Sequence, residues 1–479
     1  MATRTPPSRP DLDALDRGLL DAVAAGEVRL TPGQGLDLHR RAPLHLLGRY
    51  ADARCRTLHG DTVRTYIIDR NINYTNVCTA KCTFCAFRRD ADDHDAYTLE
   101  HEALYEKIAE LVAIGGTQIL MQGGMNPALP LSWYTDLLRG IKERFPGVHV
   151  HGFSPPEFIE FVHFFDPPGT PGAPLFDKIL TVMRPLRDAG LDSVPGGGGE
   201  IFSHPVRRKI GLGKCDAEAW LTVMRAAHSL GMFTSATMMF GHIEGIADRV
   251  HHMALVREWQ DRSLREFGAG VEDEHGRVRP GGHYKAFISW PFQRENTPLG
   301  RLKDWGSLPE EQGPDAVFPA DAIATLSGEY DAKAHPEFGR RVRTAGATEY
   351  LRTQAVSRLM LDNVYSIGAS WVTMGPHIGQ VALHYGANDM GSVMMEENVV
   401  SSAGTTYCLN EPVLCRLIRD AGFTPAQRDN TYDLLRLHDG PRSPDLLVAD
   451  WSKHRAKRLH TEAKPVAKPV QVRVPAAQR

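Results

Sequence analysis

From Thr62 onward, apolar positions change period again and again, and each change marks a new element. TVRTYIIDRNI (Thr62 to Ile72) is β-branched and aromatic, as a strand prefers. TLEHEALYEKIAELVAIGG then carries Leu104, Ile108, Leu111 and Val112 at helical spacing, and Gly115–Gly116 close it. TQILMQGG and VHVHGFSP read as strands around the helix LSWYTDLLRGIKERF. FDKILTVMRPLRDAG predicts a helix that Pro185 should kink or restart. LDSVPGGGGE ends a short strand, after which Asp216 suits the N-cap of AEAWLTVMRAAHSLG and Gly231 its far end. FTSATMMFG, a helix around Ala247 to Gln260, YKAFISWPF, a helix around Thr344 to Asp362 and SIGASWVTMG continue the alternation. About eight β/α units follow one another, the number of an α/β (β/α)8 TIM-type barrel. Helical crossovers between the strands make its sheet parallel.

The pattern places the barrel at residues 61–400. Residues 1–60 read as an N-terminal helical extension, 401–452 as a separate C-terminal segment, and 453–479 as a basic, disordered tail. Asp166 to Pro174, Glu266 to His283 and the stretch LKDWGSLPEEQGPDAVFPADA are rich in Gly, Pro and charge, so exposed loops are expected there. Of the 479 residues 42% are hydrophobic and 24% charged, with a net charge of -3, which leaves no global field for nucleic acid or an anionic membrane. No apolar run approaches the roughly 20 residues of a spanning helix, and the first residues lack a secretory pattern. The expectation is a cytoplasmic protein without membrane insertion.

There, seven cysteines do not suggest a disulfide framework. Three crowd into CTAKCTFC as Cys78, Cys82 and Cys85, while the other four are scattered. Three soft thiolates on one short loop can each hold one iron of a 4Fe-4S cluster and leave the fourth iron open. An open iron can chelate the amino and carboxylate groups of S-adenosyl-L-methionine, and an electron then releases a 5′-deoxyadenosyl radical. The loop also follows the first strand, where barrel active sites lie. A structural zinc site with His94 as fourth ligand would normally need a second Cys pair, which the chain lacks. Three unrelated thiols remain the plainest alternative.

CxxxCxxC with Phe84 before the last cysteine resembles the signature of the radical S-adenosylmethionine superfamily. RNINYTNVCTAKCTFCAFRR, MQGGMNP, HGFSPPE, PGGGGEIFS, TSATMMFGHIEG, AFISWPFQRENTPL and AGFTPAQRD resemble one branch, in its order, from about Arg70 to Tyr432. That branch holds the futalosine-pathway enzymes of menaquinone biosynthesis and the deazaflavin cofactor synthases. ASWVTMGPHIGQVALHYGANDMGSVMMEENVVSSAGT most resembles its cyclases. The resemblance implies conversion of dehypoxanthine futalosine to cyclic dehypoxanthine futalosine, with a reducing donor such as flavodoxin or ferredoxin. Aminofutalosine synthase and deazaflavin synthase are the alternatives within the branch; a zinc-stabilised binding protein is the alternative outside it.

By the same resemblance, Phe84, Gly123, Gly124 and Glu200 are expected to contact the S-adenosylmethionine, although Met125 stands where Glu is usual. Glu200 and His242 are the candidate catalytic residues, His242 as a proton acceptor. Trp290, Gln293, Arg294, Asn296, Ser370, Trp371 and Asn388 end later strands and are candidates for binding substrate. Asp389 and the run Glu396–Glu397–Asn398 add carboxylates, any of which could take the proton instead. The substrate's benzoate needs a cation, for which Arg70, Arg207 and Arg294 are candidates.

Overall fold

The computed structural model describes residues 17–165, 172–272, 276, 278–304 and 339–454. Most of the Asp166 loop, the segment 305–338 and the tail from residue 455 lie outside these.

Eleven strands form one curled sheet, all parallel except the last. They are β1 (Val63–Ile67), β2 (Asp69–Ile72), β3 (Gln118–Met121), β4 (His149–Gly152), β5 (Ser193–Val194), β6 (Phe233–Phe240), β7 (Tyr284–Pro291), β8 (Ser366–Gly368), β9 (Asp389–Ser392), β10 (Thr424–Arg428) and β11 (Leu434–Leu437). β1 and β2 are one extended run broken only at Ile68. Above the break Asp69–Ile72 pairs with Gln118–Met121; below it Thr65 and Ile67 pair with Asp389 and Ser392 of β9. The run therefore joins the two ends of the strand series, and the eight parallel strands of the expected barrel follow in chain order. The lower half of the run has a second neighbour: Val63–Tyr66 pairs with Thr424–Gln427 of β10. β11 then turns back antiparallel against β10.

Helices cover the outside, as the crossover rule requires. α1 (Arg17–Ala25), α2 (Pro32–Arg41) and α3 (Leu44–His59) form the N-terminal extension, α2 starting from a capping box between Thr31 and Gln34. α4 (His101–Ala113) and α5 (Leu131–Arg144) follow β2 and β3. Asp216 caps the helix Ala217–Ser229 through the Ala219 amide at 2.8 Å. Pro185 stands inside one continuous helix, Leu175–Ala189. The helix expected at Ala247 runs further, from Ile246 to Phe267. The Glu266–His283 stretch is not wholly loop, since Val271–Glu272 pairs with Val278–Arg279.

The core between strands and helices is apolar and almost fully buried, with an aromatic wedge of Tyr74, Tyr134, Phe153 and Phe161 on the β2–β4 side. The inside of the barrel differs. Its wall presents Asp69 and Asn71 from β2 with Asn73 just beyond it, Gln118 from β3 with Gln122 just beyond it, then His151 and Thr237. An ordinary (β/α)8 interior is filled by branched aliphatics; here a cavity of about 480 Å³ remains.

Candidate active site

Cys78, Cys82 and Cys85 line the upper end of that cavity. Their loop is fixed by its backbone. Cys78 N donates to Arg89 O (3.1 Å), Thr79 N to Met125 O (3.0 Å), Lys81 N to Leu212 O (2.8 Å) and Thr83 N to Ile210 O (2.8 Å). No thiol is used in a disulfide. Burial pushes the Cys82 thiol up to about 12, with Lys214 opposing, so a thiolate there requires a cation beside it. Three soft donors on a rigid loop at the edge of a buried cavity fit an iron–sulfur cluster. They do not fit one small ion. Among the described residues no three His, Cys, Asp or Glu side chains gather as a single metal ion needs, and the His94 side chain is 97% exposed.

Gly123 and Gly124 lie beside the loop because nothing larger fits. A Cβ on Gly124 would meet Val77 O at 2.0 Å, and one on Gly123 the Tyr74 ring at 2.5 Å. Met125 is buried in a small apolar cluster with Ala80 and Cys82. A buried carboxylate from the next β/α unit lies against the Gly123 turn. Glu157, fully buried, accepts from Gly123 N (3.2 Å), Tyr74 OH (2.7 Å) and both N and Oγ of Ser154 (2.6 Å each). Sequence reasoning missed Glu157, although HGFSPPE contains it.

The Gly196–Gly199 turn is held from outside by Arg207, which donates to Gly198 O, Gly199 O and Cys215 O at 2.8–2.9 Å. This corrects its assignment as a benzoate cation, since its donors are spent on the backbone. Glu200 follows in a left-handed conformation (φ 41°) and lines the cavity. Lys214 Nζ bonds Glu200 Oε1 at 3.0 Å and lies 4.9 Å from the centre of the Phe84 ring. Burial opposes the Lys214 charge, but Glu200 and Cys82 outweigh it and its pKa rises.

Other expectations need correction. His242 is wholly buried outside the cavity lining, with Nδ1 3.0 Å from Glu244 and Nε2 3.1 Å from Met239 O. Burial lowers its pKa, and no face of it meets the cavity as a proton acceptor would. Arg70 points away from the lumen to Glu396 and Glu110, each at 2.7 Å. Arg294 is consumed by Gly300 O, Leu302 O and Asp304. Asn296 is a turn residue (φ 60°) bonded to Ser402 O, and Asn388 is buried against Arg358 and Ser366. None of these five lines the cavity. Glu396 pairs with Arg70 and Lys107, and Asn398 Nδ2 bonds Glu396 at 2.9 Å.

Trp290, Gln293, Ser370, Trp371, Asp389 and Glu397 do line it, as do Phe84, Gly123 and Gly124. Trp371 is oriented by Nε1 donating to Ser392 O (3.1 Å), and Ser370 N donates to Tyr350 OH (2.7 Å).

At the lower end the wall is polar and charged. Arg428 of β10 grips Asp389 with Nε and Nη2 (2.6 and 2.9 Å), while Tyr432 lies 3.9 Å beneath its guanidinium. Thr65 Oγ1 adds a 2.5 Å bond to Asp389. Close by, Asp69 accepts from Ser392 Oγ and from Gln118 Nε2 (3.0 Å), and burial raises its carboxyl to about 6. Of the missed residues, Asp69 had a signal: Asp69, Asn71 and Asn73 are polar at every second position of a strand, the period of one face. Arg428 had none, because its partner is 39 residues earlier.

A model of the Radical SAM superfamily matches residues 72–256, and one of the CofH/MqnC C-terminal region matches 336–440. A cyclic dehypoxanthine futalosine synthase of Halalkalibacterium halodurans is 36% identical, over 88% of this chain and 95% of the relative. One of Streptomyces coelicolor is 37% identical, over 88% and 90%. In fold, the crystal structure of methylornithine synthase has a TM-score of 0.57 at 17% identity, covering 85% of this chain and 97% of that one.

Proposed function

The chain belongs to the radical SAM superfamily, as an enzyme carrying the CofH/MqnC C-terminal region, and on that premise we propose that it cyclises dehypoxanthine futalosine to cyclic dehypoxanthine futalosine in menaquinone biosynthesis. The observation that carries this reading is its likeness to two synthases of that product along nearly their whole length.

Cys78, Cys82 and Cys85 would hold a 4Fe-4S cluster whose open iron takes S-adenosylmethionine, and together these supply a 5′-deoxyadenosyl radical. The backbone of Gly123–Gly124 offers close approach to the methionine portion, with Glu157 keeping that turn in place. Glu200 and Lys214 present opposite charges beside Phe84, suited to an amino acid's own pair of charges. Trp290, Trp371 and Ser370 offer a wall of aromatic and hydroxyl groups for a nucleoside-like substrate. Arg428 and Lys285 line the lumen, as the three excluded arginines do not, and offer cations for the benzoate, although Arg428 already bonds Asp389 and Asp429 O. A walled cavity holds the ribose C–H near the radical and keeps water from quenching it. A one-electron donor such as flavodoxin or ferredoxin is required. No helix among the described residues is long and apolar enough to cross a membrane.

The test is to incubate the reconstituted chain with reductant, S-adenosylmethionine and dehypoxanthine futalosine. The expected outcome is 5′-deoxyadenosine together with a product lacking two hydrogens. Deoxyadenosine formed only with an enolpyruvyl-benzoate substrate would make it an aminofutalosine synthase instead. Cys82→Ala should remove both the cluster absorbance and the deoxyadenosine; activity in that variant refutes the cluster ligands.

A further inference from the structure

The lower lumen contains a chain of hydrogen-bonded side chains that links β4, β5 and the turn after β10. His151, on β4, lines the cavity and is 8% exposed. Its Nε2 lies 3.5 Å from Ser235 Oγ, another lining group, and its Nδ1 is 2.6 Å from Ser193 Oγ. Ser193 is 1% exposed, and its Oγ is also 2.7 Å from His149 Nε2. His149, two residues along the same strand, is only half-buried at the strand's outer end. The side-chain amide of Asn430, in the turn after β10, donates to both His149 Nε2 (2.6 Å) and Ser193 Oγ (2.8 Å).

These contacts set a direction. An amide NH2 can only donate, so both atoms it touches are acceptors. His149 Nε2 thus carries its lone pair, shared between the Asn430 amide and the Ser193 hydroxyl, and the serine oxygen can receive the Nδ1 proton of His151. A proton arriving at His151 Nε2 from the cavity therefore has an unbroken path, through Ser193, to a histidine at the barrel's lower rim. Neutral imidazoles are needed for such a transfer in either ring. Burial lowers both, His151 to about 3 with His149 and Arg428 adding to the effect, while Asp192 partly offsets it at His149. The other charges facing His149 are Lys142 and Asp429.

We propose that His151, Ser193 and His149 form a relay that exports the proton released when the cyclised ring regains its aromaticity. The proposal rests on the cyclase reading. In that step the C–H bond at the newly joined ring carbon breaks. Its proton goes to His151 Nε2, its electron pair returns to the ring, and the unpaired electron passes to a one-electron acceptor of the iron–sulfur class. The cysteine loop, which would hold the cluster and S-adenosylmethionine, lines the upper end of the cavity, so an exit at the lower end would separate the proton from the radical source. His151 is the catalytic residue of the set; Ser193 and His149 act through it.

The experiment compares Ser193→Ala and Ser193→Thr with the unaltered holoenzyme, measuring cyclised product per 5′-deoxyadenosine. Ser193→Ala is expected to form deoxyadenosine within about threefold of the parent but to yield product about tenfold less per radical event. Ser193→Thr, which keeps a hydroxyl, should restore the ratio. Nitrogen-15 NMR of the histidines in cluster-free protein gives a second readout, in which Ser193→Ala should shift both His149 and His151. An unchanged product ratio, or histidine signals that ignore Ser193, overturns the relay while leaving the cyclase reading intact. A parent enzyme that makes no cyclised product overturns the cyclase reading, and the relay's role with it.

Discussion

The two ends of the barrel lumen are built on different plans. At the upper end, three cysteines within eight residues are fixed by backbone bonds, and the reactive atoms come from one short loop. At the lower end Asp69, His151, Ser193, Asp389, Arg428 and Asn430 come from five strands and a turn spread over most of the chain. The upper end takes its three thiols from one short loop, seated on Met125, Leu212 and Ile210. The lower end exists only when the whole sheet has formed, so it can be specific to one substrate. A shared radical source and a private floor is what a superfamily with many reactions requires.

The most severe way to break this contrast is Arg428→Met. It leaves Asp389 buried without its cation, a loss of about 3–5 kcal/mol. Denaturant melts should show that loss, and adding Asp389→Asn should recover part of it. Because the upper end is independent of the pair, the folded fraction should keep its cluster absorbance while losing product.

Glu157→Gln tests the upper end with a smaller expected effect. The carboxylate accepts four hydrogen bonds, and an amide nitrogen cannot accept those it inherits. Loosening of the Gly123 turn should raise KM for S-adenosylmethionine about tenfold, or about 1.4 kcal/mol, with kcat changed less. An equal fall in kcat with KM unchanged would assign Glu157 to the chemistry instead.

Asp69→Asn sharpens the electrostatic side of the contrast. The Asp69 carboxyl stands at about 6 in the fold against 3.8 ordinarily, chiefly through burial. The folded chain therefore binds this proton more tightly than the unfolded one. Its contribution to stability is complete below about pH 4 and is lost as the pH rises through 6. Relative to the parent, Asp69→Asn should gain stability progressively between pH 4 and 7, by about 1–3 kcal/mol. Thermal melts across that range decide it; a difference that does not vary with pH would mean Asp69 stays ionised throughout.

What the sequence discloses follows the same division. Strand and helix periods repeat locally, so the order of elements, the barrel and the Asp216 cap are readable, and the cysteine loop is a local motif. Which way a strand-end residue faces is set by neighbours far along the chain. Arg70 could have been excluded, since it lies between inward-facing Asp69 and Asn71 and must point the other way, toward Glu110 of α4. His242 could not, because a histidine just past a strand reads alike whether it turns to the lumen or, as here, to Glu244. Residues 401–452 look separate by pattern, yet Thr424–Arg428 is a member of the sheet, and only its pairing with Val63–Tyr66 reveals that.

That last pairing also governs when the protein can be finished. β1 is among the first strands to be synthesised and β10 is nearly the last, and each is the other's neighbour. While the chain is still emerging from the ribosome, the lower half of β1 has an open edge on the side that β10 will cover. Loop closure over so long a stretch is slow, and an uncovered strand edge invites pairing with another chain. The nascent protein is therefore most exposed to aggregation in the interval before residue 428 is released, and a prematurely terminated chain would carry that edge permanently.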